Sequence, residues 1–391
     1  MTESKRPVIG YVSRYDPFTD KMAWSGTIYK IREGIEKAGF EVRWIRYGTR
    51  PMYYRVLAWK LLLRLSARCF GKRWVSECHF RPIVKLYGKE LRRNKAVEEC
   101  DYLFFPGSAQ NMLYSGITTP YIYYTDATAY QMIGYYWFDI CRKSQRMACE
   151  MEGEAIRRAA LNLRASQWCI DSVISDGGGQ PDKCHVLQFG PNLDTEHIHP
   201  ITPYSGNGPL RILFSGVAWE RKGGDVAVRT VELLRRRGLD ARLIIAGPAE
   251  KPAICEGKEY VEFYGLLNKN HDEEYRKYLS LYETSHLFLL PTRAECAGIV
   301  FSEASAFGLP AYTYLTGGTG SYVQDGINGH TLPLSSGPEA FAQQIYDDVT
   351  HHRLAALAEG AMRLNRDQLS WEAWARRFRE IMEKETANNK E

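Results

Sequence analysis

The chain has 391 residues, 45% of them hydrophobic and 25% charged, and a formal net charge of +5. Its length exceeds the usual single-domain size and predicts two domains, while the composition is that of an ordinary folded soluble protein and excludes a disordered one. The charge is uneven: residues 51–95 hold twelve Lys or Arg against two Glu, a net of +10, which leaves −5 for the remainder, and a segment that basic faces phosphate, nucleic acid or an anionic membrane.

The opening stretch MTESKRPVIGYV lacks the apolar run of a signal peptide and enters a first strand over 8–12. A polar loop leads to a helix from Ser25-Gly26-Thr27 to about Ala38. Ser25 suits the N-cap, where its hydroxyl can accept from an orphaned amide, and Gly39 suits the stop. Residues 40–45 predict the next strand, and a helical basic stretch follows. The runs 102–106 and 121–124 are short, apolar and bounded by turns, which is how buried parallel strands read. Residues 190–209 are rich in Pro, Gly and Asn, lack periodicity and predict an interdomain linker. The pattern restarts with a strand at 210–214, a helix over 225–237 that Gly238 ends, and strands at 243–247, 287–291 and 311–315.

Strands alternating with helices predict an α/β chain with doubly wound parallel sheets. Two Rossmann-like domains, 1–192 and 193–370, would face a cleft, with ligands at the carboxyl ends of the strands. No run approaches the roughly 18 apolar residues of a membrane span. The nine cysteines are odd in number and form no CxxC pair, so they read as free thiols in a reducing compartment rather than disulfides or a zinc site. The chain is therefore expected in the cytoplasm, with a peripheral place at the inner face of the membrane as an option.

Three loops carry the chemistry. Glu295 and Glu303 bracket seven residues just after the strand ending at Pro291, and Glu303 is read as starting an apolar helix that Gly308 and Pro310 terminate. Ala297, Gly298 and Ile299 would present backbone amides at that helix's N-terminus, which favours an anionic phosphate. One carboxylate on each side of the cradle suits hydroxyls flanking a diphosphate; two solvated glutamates are the plain alternative. The second loop, Gly216 to Asp225, joins strand 210–214 to helix 225–237. Its glycines allow close backbone approach, and Lys222 or Arg221 can neutralise a leaving phosphate. The third, Thr316-Gly317-Gly318-Thr319-Gly320-Ser321, is a further amide cradle or a simple turn.

In this order and on these elements the loops resemble the donor-binding domain of retaining glycosyltransferase family 4, which has the GT-B fold. The resemblance covers most of the chain and is most specific over 210–332. Similar features are Val261 to Leu266 (VEFYGL), Asp325 to Gly329 (DGING), the strand end at Ala165 to Trp168, and Trp371-Glu372-Ala373-Trp374 on a last helix. In that family the last helix, about 371–391 here, crosses back onto the N-terminal domain. The resemblance implies that Glu295 contacts donor hexose hydroxyls near the anomeric carbon and that Glu303 binds the ribose. It also implies that Lys222 stabilises the diphosphate, while the backbone near Gly265 and Leu266 meets the base. Gly298, Ile299 and Val300 would offer amides to phosphate and sugar, with Gly317 and Gly318 in the third cradle, and Gly26 would approach the diphosphate from the other domain.

Two positions depart from the pattern. Where the family usually has an Arg after the glycine of the phosphate turn, this chain has Val217, and Arg221 is the candidate replacement. Where it often has a His after strand 121–124, this chain has Thr125-Asp126-Ala127-Thr128; Asp126 either contacts a donor or acceptor hydroxyl or caps the helix that starts there. The implied reaction is retaining transfer of a sugar from a nucleoside-diphosphate sugar to a hydroxyl of a glycan, lipid-linked or small-molecule acceptor. Lys222, the amides and the helix dipole would stabilise the departing anion. The chain has no Asp-x-Asp metal motif, so neither metal nor cofactor beyond the co-substrate is expected. A sugar-nucleotide epimerase or hydrolase on the same fold, or a non-catalytic nucleotide-binding module, are the rival classes.

Lys60, Arg64 and Arg68 fall four residues apart and form one stripe if the basic segment is helical. Val56, Leu57, Trp59, Leu61, Leu62, Leu63 and Leu65 cover most of the surface around them. Such a helix either lies on an anionic membrane or packs on the first sheet with its charges in water. No nucleic-acid motif accompanies the charge, so nucleic acid is not expected as a partner.

Overall fold

The structure, a computed structural model, describes residues 6–74, 77–195 and 198–388. The head of the N-terminal stretch (1–5), two positions each of the basic segment (75–76) and the linker (196–197), and the end of the last expected helix (389–391) lie outside the described residues. The chain divides into two compact units, with boundaries between Leu187 and Gln188 and between Ala373 and Trp374.

The first unit contains β1 (Val8–Ser13), α1 (Thr27–Lys37), β2 (Glu41–Arg46), α2 (Arg50–Phe70), α3 (Arg81–Arg92), β3 (Tyr102–Pro106), β4 (Tyr121–Thr125), α4 (Ala129–Met132), α5 (Arg142–Arg158), β5 (Leu161–Arg164), α6 (Gln167–Ser175) and β6 (Cys184–Val186). Its strands run parallel in the order β2-β1-β3-β4-β5-β6. The second unit contains β7 (Leu210–Ser215), α7 (Trp219–Lys222), α8 (Gly224–Arg236), β8 (Ala241–Ala246), β9 (Val261–Gly265), α9 (Asp272–Glu283), β10 (Leu287–Leu290), α10 (Ile299–Phe307), β11 (Ala311–Tyr314), β12 (Gly329–Leu332), α11 (Pro338–Thr350) and α12 (Leu354–Leu364). Its parallel sheet runs β12-β11-β10-β7-β8-β9. In order of appearance within the unit that is 6-5-4-1-2-3, the doubly wound Rossmann arrangement.

The apolar runs form these strands because both faces of each sheet are covered. Leu103 to Phe105 and Leu287 to Leu290 are fully buried, and a parallel strand buried on both sides needs apolar residues at every position rather than at alternate ones. The final helix, α13 (Trp371–Asn388), starts in the second unit, where the Trp371 indole donates to the Pro191 carbonyl at 2.8 Å. From Trp374 onward it belongs to the first unit. The Trp374 indole donates to the Tyr124 hydroxyl at 3.0 Å, Arg377 to the Val186 carbonyl at 2.7 Å, and Arg379 to the Ala38 carbonyl at 2.7 Å.

Two expectations about helix starts are corrected. Ser25 does not cap α1: Gly26 is the N-cap, at φ 91° and with no side chain to accept, and Trp24 and Ser25 precede it in left-handed conformation at φ 51° and 56°. A capping serine needs extended backbone to bring its hydroxyl onto the first-turn amides, which this run of left-handed residues does not supply. Glu303 does not start the apolar helix either, because α10 begins at Ile299 with Gly298 as N-cap. That register places Glu303 in the second turn, inside the unit rather than at its edge.

Candidate functional site

In a doubly wound sheet the ligand crevice opens where strand order reverses, outside the carboxyl ends of the two central strands. In the second unit those strands are β7 and β10. After β7 the single turn α7 carries Arg221 and Lys222, and after β10 a loop carries Glu295 and Gly298 before Ile299 and Val300 open α10. The two loops are locked together. Gly223 has φ 72°, and a Cβ there would lie 2.0 Å from the Pro291 carbonyl oxygen, so only glycine lets the loops approach this closely. The Arg293 amide donates to the Arg221 carbonyl at 2.8 Å, and the Arg293 guanidinium holds both Asp225 oxygens at 3.0 Å.

The result is a compact ionic site. Lys222 and Glu295 are both about nine-tenths buried, and the Lys222 ammonium is paired directly with Glu295 Oε2. The Arg221 guanidinium lies 3.8 Å from the same oxygen and donates to the Ala294 carbonyl at 2.9 Å. Two cations therefore flank one carboxylate, and both ammonium and guanidinium are donors suited to an anion. Val217 is 66% exposed, so the position without the family Arg points to water, and Arg221 is the residue that brings a second cation onto Glu295. Gly298 has φ 87° and a Cβ there would lie 2.6 Å from the Phe301 ring; the turn it permits starts α10 with the amides of Ile299 and Val300 in the first turn. Those amides have no partner within the helix and carry the positive end of its dipole.

Glu303 is 1% exposed, which rules out the solvated alternative. Its Oε1 accepts from Lys269 Nζ at 2.8 Å, and its Oε2 accepts from the Tyr278 hydroxyl at 2.8 Å and the Tyr282 hydroxyl at 3.1 Å. Burial depresses the Lys269 ammonium, but the adjacent Glu303 charge outweighs this and holds its pKa above the ordinary lysine value. Burial, with the Glu303 charge adding to it, pushes the Tyr278 phenol up to about 12.

The remaining expected residues take varied places. Gly318 is not a free amide: its N–H donates to the Glu295 carbonyl at 2.9 Å, so the 316–321 loop, with Gly317, braces Glu295 from behind rather than offering this donor to a ligand. Gly265 ends β9 at φ 69° with its carbonyl accepting from Gly247 at 2.8 Å, and Leu266 beyond it is 59% exposed. In the first unit Gly26 sits at the N-terminus of α1. Asp126 follows β4 but does not cap α4: Thr128 does, in a capping box with Gln131.

Sequence reasoning missed Lys269, Tyr278 and Tyr282. The tyrosines stand at i and i+4 on α9 and so share a face, a spacing that marks a pair pointing inward but not its target. It also missed a buried polar cluster in the first unit. The His79 imidazole lies 3.5 Å from Glu152 Oε2 and 3.3 Å from Gln110 Nε2, and the Tyr123 hydroxyl donates to Glu152 Oε1 at 2.8 Å. Burial opposes the charged imidazolium, but Cys78 and Glu152 outweigh it and raise the His79 pKa to about 9. No group of three or more His, Cys, Asp or Glu among the described residues is arranged to hold a metal ion.

Comparison with known proteins shows the architecture. Across 98% of the chain the fold is similar to that of a glycosyltransferase from Rickettsia africae, at a TM-score of 0.67, 14% identity and 100% coverage of that chain. It is also similar to sucrose-phosphate synthase from Thermosynechococcus elongatus, at a TM-score of 0.67, 16% identity and coverage of 98% and 100%. An Anabaena protein solved with UDP and glucose matches at a TM-score of 0.59, 14% identity and coverage of 97% and 100%. The architecture is thus GT-B: two Rossmann-like domains, with a C-terminal helix that ends on the first. Residues 209–349, which hold the ionic site, match the family model described as Glycosyl transferases group 1. A D-inositol 3-phosphate glycosyltransferase of Xylanimonas cellulosilytica is 30% identical over 209 residues, 48% of each chain. An alpha-D-kanosaminyltransferase of Streptomyces kanamyceticus is 23% identical over 201 residues, 48% of this chain and 51% of that one. The chain spans about half the length of the curated relatives it matches.

Proposed function

We propose that the chain is a retaining, metal-independent glycosyltransferase that moves a sugar from a nucleoside-diphosphate sugar to a hydroxyl acceptor, in glycan, polysaccharide or glycolipid biosynthesis. The observation that carries this reading is the meeting of Lys222, Arg221 and Glu295 beside the first turn of α10, on a stretch that matches the group 1 family model. A diphosphate is the ligand that such a site suits: it gives both cations an anion and the Ile299 and Val300 amides an acceptor. In its absence Glu295 holds the ammonium. When the diphosphate takes Lys222, the Glu295 carboxylate is released toward the hydroxyls of the donor sugar. Glu303, held between Lys269 and the two tyrosines, is the deeper acceptor for the ribose.

The charge balance follows. The bond between the anomeric carbon and the phosphate oxygen breaks and the electron pair leaves with the diphosphate, where Lys222, Arg221 and the helix dipole stabilise it. The acceptor hydroxyl oxygen forms the new bond on the same face, and its proton passes to the departing phosphate oxygen. In this reading Lys222 and Arg221 supply the positive charge that the departing diphosphate needs.

The test is a panel of sugar nucleotides read by thermal shift and by nucleoside-diphosphate release, with and without hydroxyl acceptors and with and without chelator. The expected outcome is stabilisation by one donor and release that depends on an acceptor and survives chelation. Turnover of the donor without any acceptor would instead identify a hydrolase or epimerase, and binding without turnover a non-catalytic module.

A further inference from the structure

The helix α2 (Arg50–Phe70) has two apolar faces, and the first unit covers only one. Met52 and Val56 are buried against Phe80, Ile83 and Tyr87. On the opposite side Tyr54, Leu61 and Leu65 lie seven and four residues apart, on one face by helical spacing. They are 70%, 49% and 57% exposed, with Leu62 beside them at 54%. A helix that needed only to pack on the sheet would carry polar residues there. Cations border this face: Arg64 and Arg68 on one side and Arg55 on the other, by position on the helix. No acidic residue occurs between Glu41 and Glu77. Lys60 turns inward to Glu77 at 2.8 Å, whereas Arg55, Arg64 and Arg68 are exposed and form no ion pair with any described residue. A cavity of about 690 Å³ beside the helix, among Leu61, Leu65, Arg68, Arg73 and Trp74, extends the same mixture of hydrocarbon and guanidinium.

We infer that the outer face of α2 docks on an anionic lipid bilayer, lying in the headgroup region with Tyr54, Leu61 and Leu65 inserted and the arginines reaching up to lipid phosphates. An arginine flanking an apolar stripe does this without strain, its methylenes on the hydrocarbon and its guanidinium at the headgroups. The helix lies on the membrane rather than through it, since no helix among the described residues is long and apolar enough to cross one. Charge decides between occupants. A second copy of the chain would bring this cationic face against its own image in a two-fold contact, while a nucleic acid would satisfy the arginines and leave the exposed leucines in water.

The experiment is co-sedimentation of the full chain with vesicles of phosphatidylcholine alone or mixed with phosphatidylglycerol. Binding is expected only to the anionic vesicles and is expected to fall steeply as salt rises. At about fivefold in partitioning per surface cation, the combined variant R55Q, R64Q and R68Q should bind on the order of a hundredfold more weakly. The L61S and L65S pair, which keeps every charge, should also lose most binding, and a thermal melt confirms that each variant is folded. No binding to anionic vesicles at low salt overturns the inference. So does full binding by L61S and L65S, which would make the attraction purely electrostatic, or a concentration-dependent dimer that these two changes abolish.

Discussion

The two sheets share one plan and differ in what they place where the strand order reverses. In the second unit the point between β7 and β10 is open chemistry: Lys222 and Arg221 converge on a single carboxylate, with the first-turn amides of α10 beside them. In the first unit the point between β1 and β3 is closed internally. Arg14, just past β1, is paired with Glu77 and lies 4.4 Å over the Tyr87 ring, and Gln110, past β3, is fully buried against Glu152 and His79. Under the proposed function, two cations gathered on one carboxylate at one reversal suit the anionic donor, while at the other reversal Arg14 and Gln110 are engaged with the unit's own side chains. Buried side chains paired with one another exert little pull on a charged ligand, whereas two cations gathered at the mouth of a crevice do.

The sharpest way to break that comparison is to remove the ammonium. Lys222→Ala should lower turnover by two or more orders of magnitude, since about 3 kcal/mol of stabilisation of the departing anion would go. The variant also leaves Glu295 buried without its closest cation, so its melting temperature belongs beside its rate. Near-wild-type turnover in a folded variant would remove the phosphate role from this loop.

Next come the two glutamates. Glu303→Gln should weaken nucleoside-diphosphate affinity by roughly ten- to a hundredfold, the worth of a hydrogen bond to a charged acceptor. Glu295→Gln should lower turnover while leaving that affinity nearly intact or slightly improved, because Lys222 is no longer held. Titration calorimetry giving the reverse pattern would exchange the sugar and ribose assignments.

The closed network of the first unit makes a different prediction, on stability. The folded His79 pKa of about 9 lies above the ordinary imidazole value near 6.5. Its contribution is therefore complete below pH 6.5 and is lost as pH rises through 9, by roughly 1–2 kcal/mol for a pair partly relaxed by its neighbours. Urea unfolding at pH 6.5 and 9.5 should show that loss, and His79→Gln should flatten it. An equal pH dependence in the variant would place the titration elsewhere.

Much of this was legible in the sequence because it is local. The unbroken apolar runs gave the strands, and a glycine and basic residues in a strand-to-helix turn marked the Lys222 loop. Glu295 and Glu303 stood out by their spacing around Gly298. What the sequence hid is set by partners distant along the chain. Lys269 is 34 residues from the carboxylate it meets, and His79 is 73 residues from Glu152 in number. Neither residue sits in a motif, and only the folding of the loop before α9 onto α10 and of α5 against the 77–79 turn brings each pair together. Local reading also failed where backbone overrode propensity: Ser25 has the side chain of a cap but stands in the left-handed region, so Gly26 starts the helix instead. The role of Gly318 was hidden for the same reason, since an amide's partner cannot be read from its own loop.

The smallest expected effect tests the proposal that Arg221 supplies the second cation that the resemblance expects at position 217. Arg221 is about one-third exposed and lies 3.8 Å from Glu295 Oε2, farther than Lys222. Solvent screens a charge so placed, and such pairs contribute on the order of 1 kcal/mol or less. Arg221→Ala should therefore weaken diphosphate binding and turnover only about fivefold, and the loss should shrink in high salt, unlike that of Lys222→Ala. The Arg221 guanidinium also anchors Ala294 through its carbonyl, so Arg221→Lys separates the two contributions: it keeps the charge but not the planar fork. Recovery of affinity in Arg221→Lys would assign the residue to the phosphate. Failure of Arg221→Lys together with loss in Arg221→Ala would make it a brace for the Glu295 loop, and wild-type behaviour of Arg221→Ala would leave Lys222 as the cation on which the site depends.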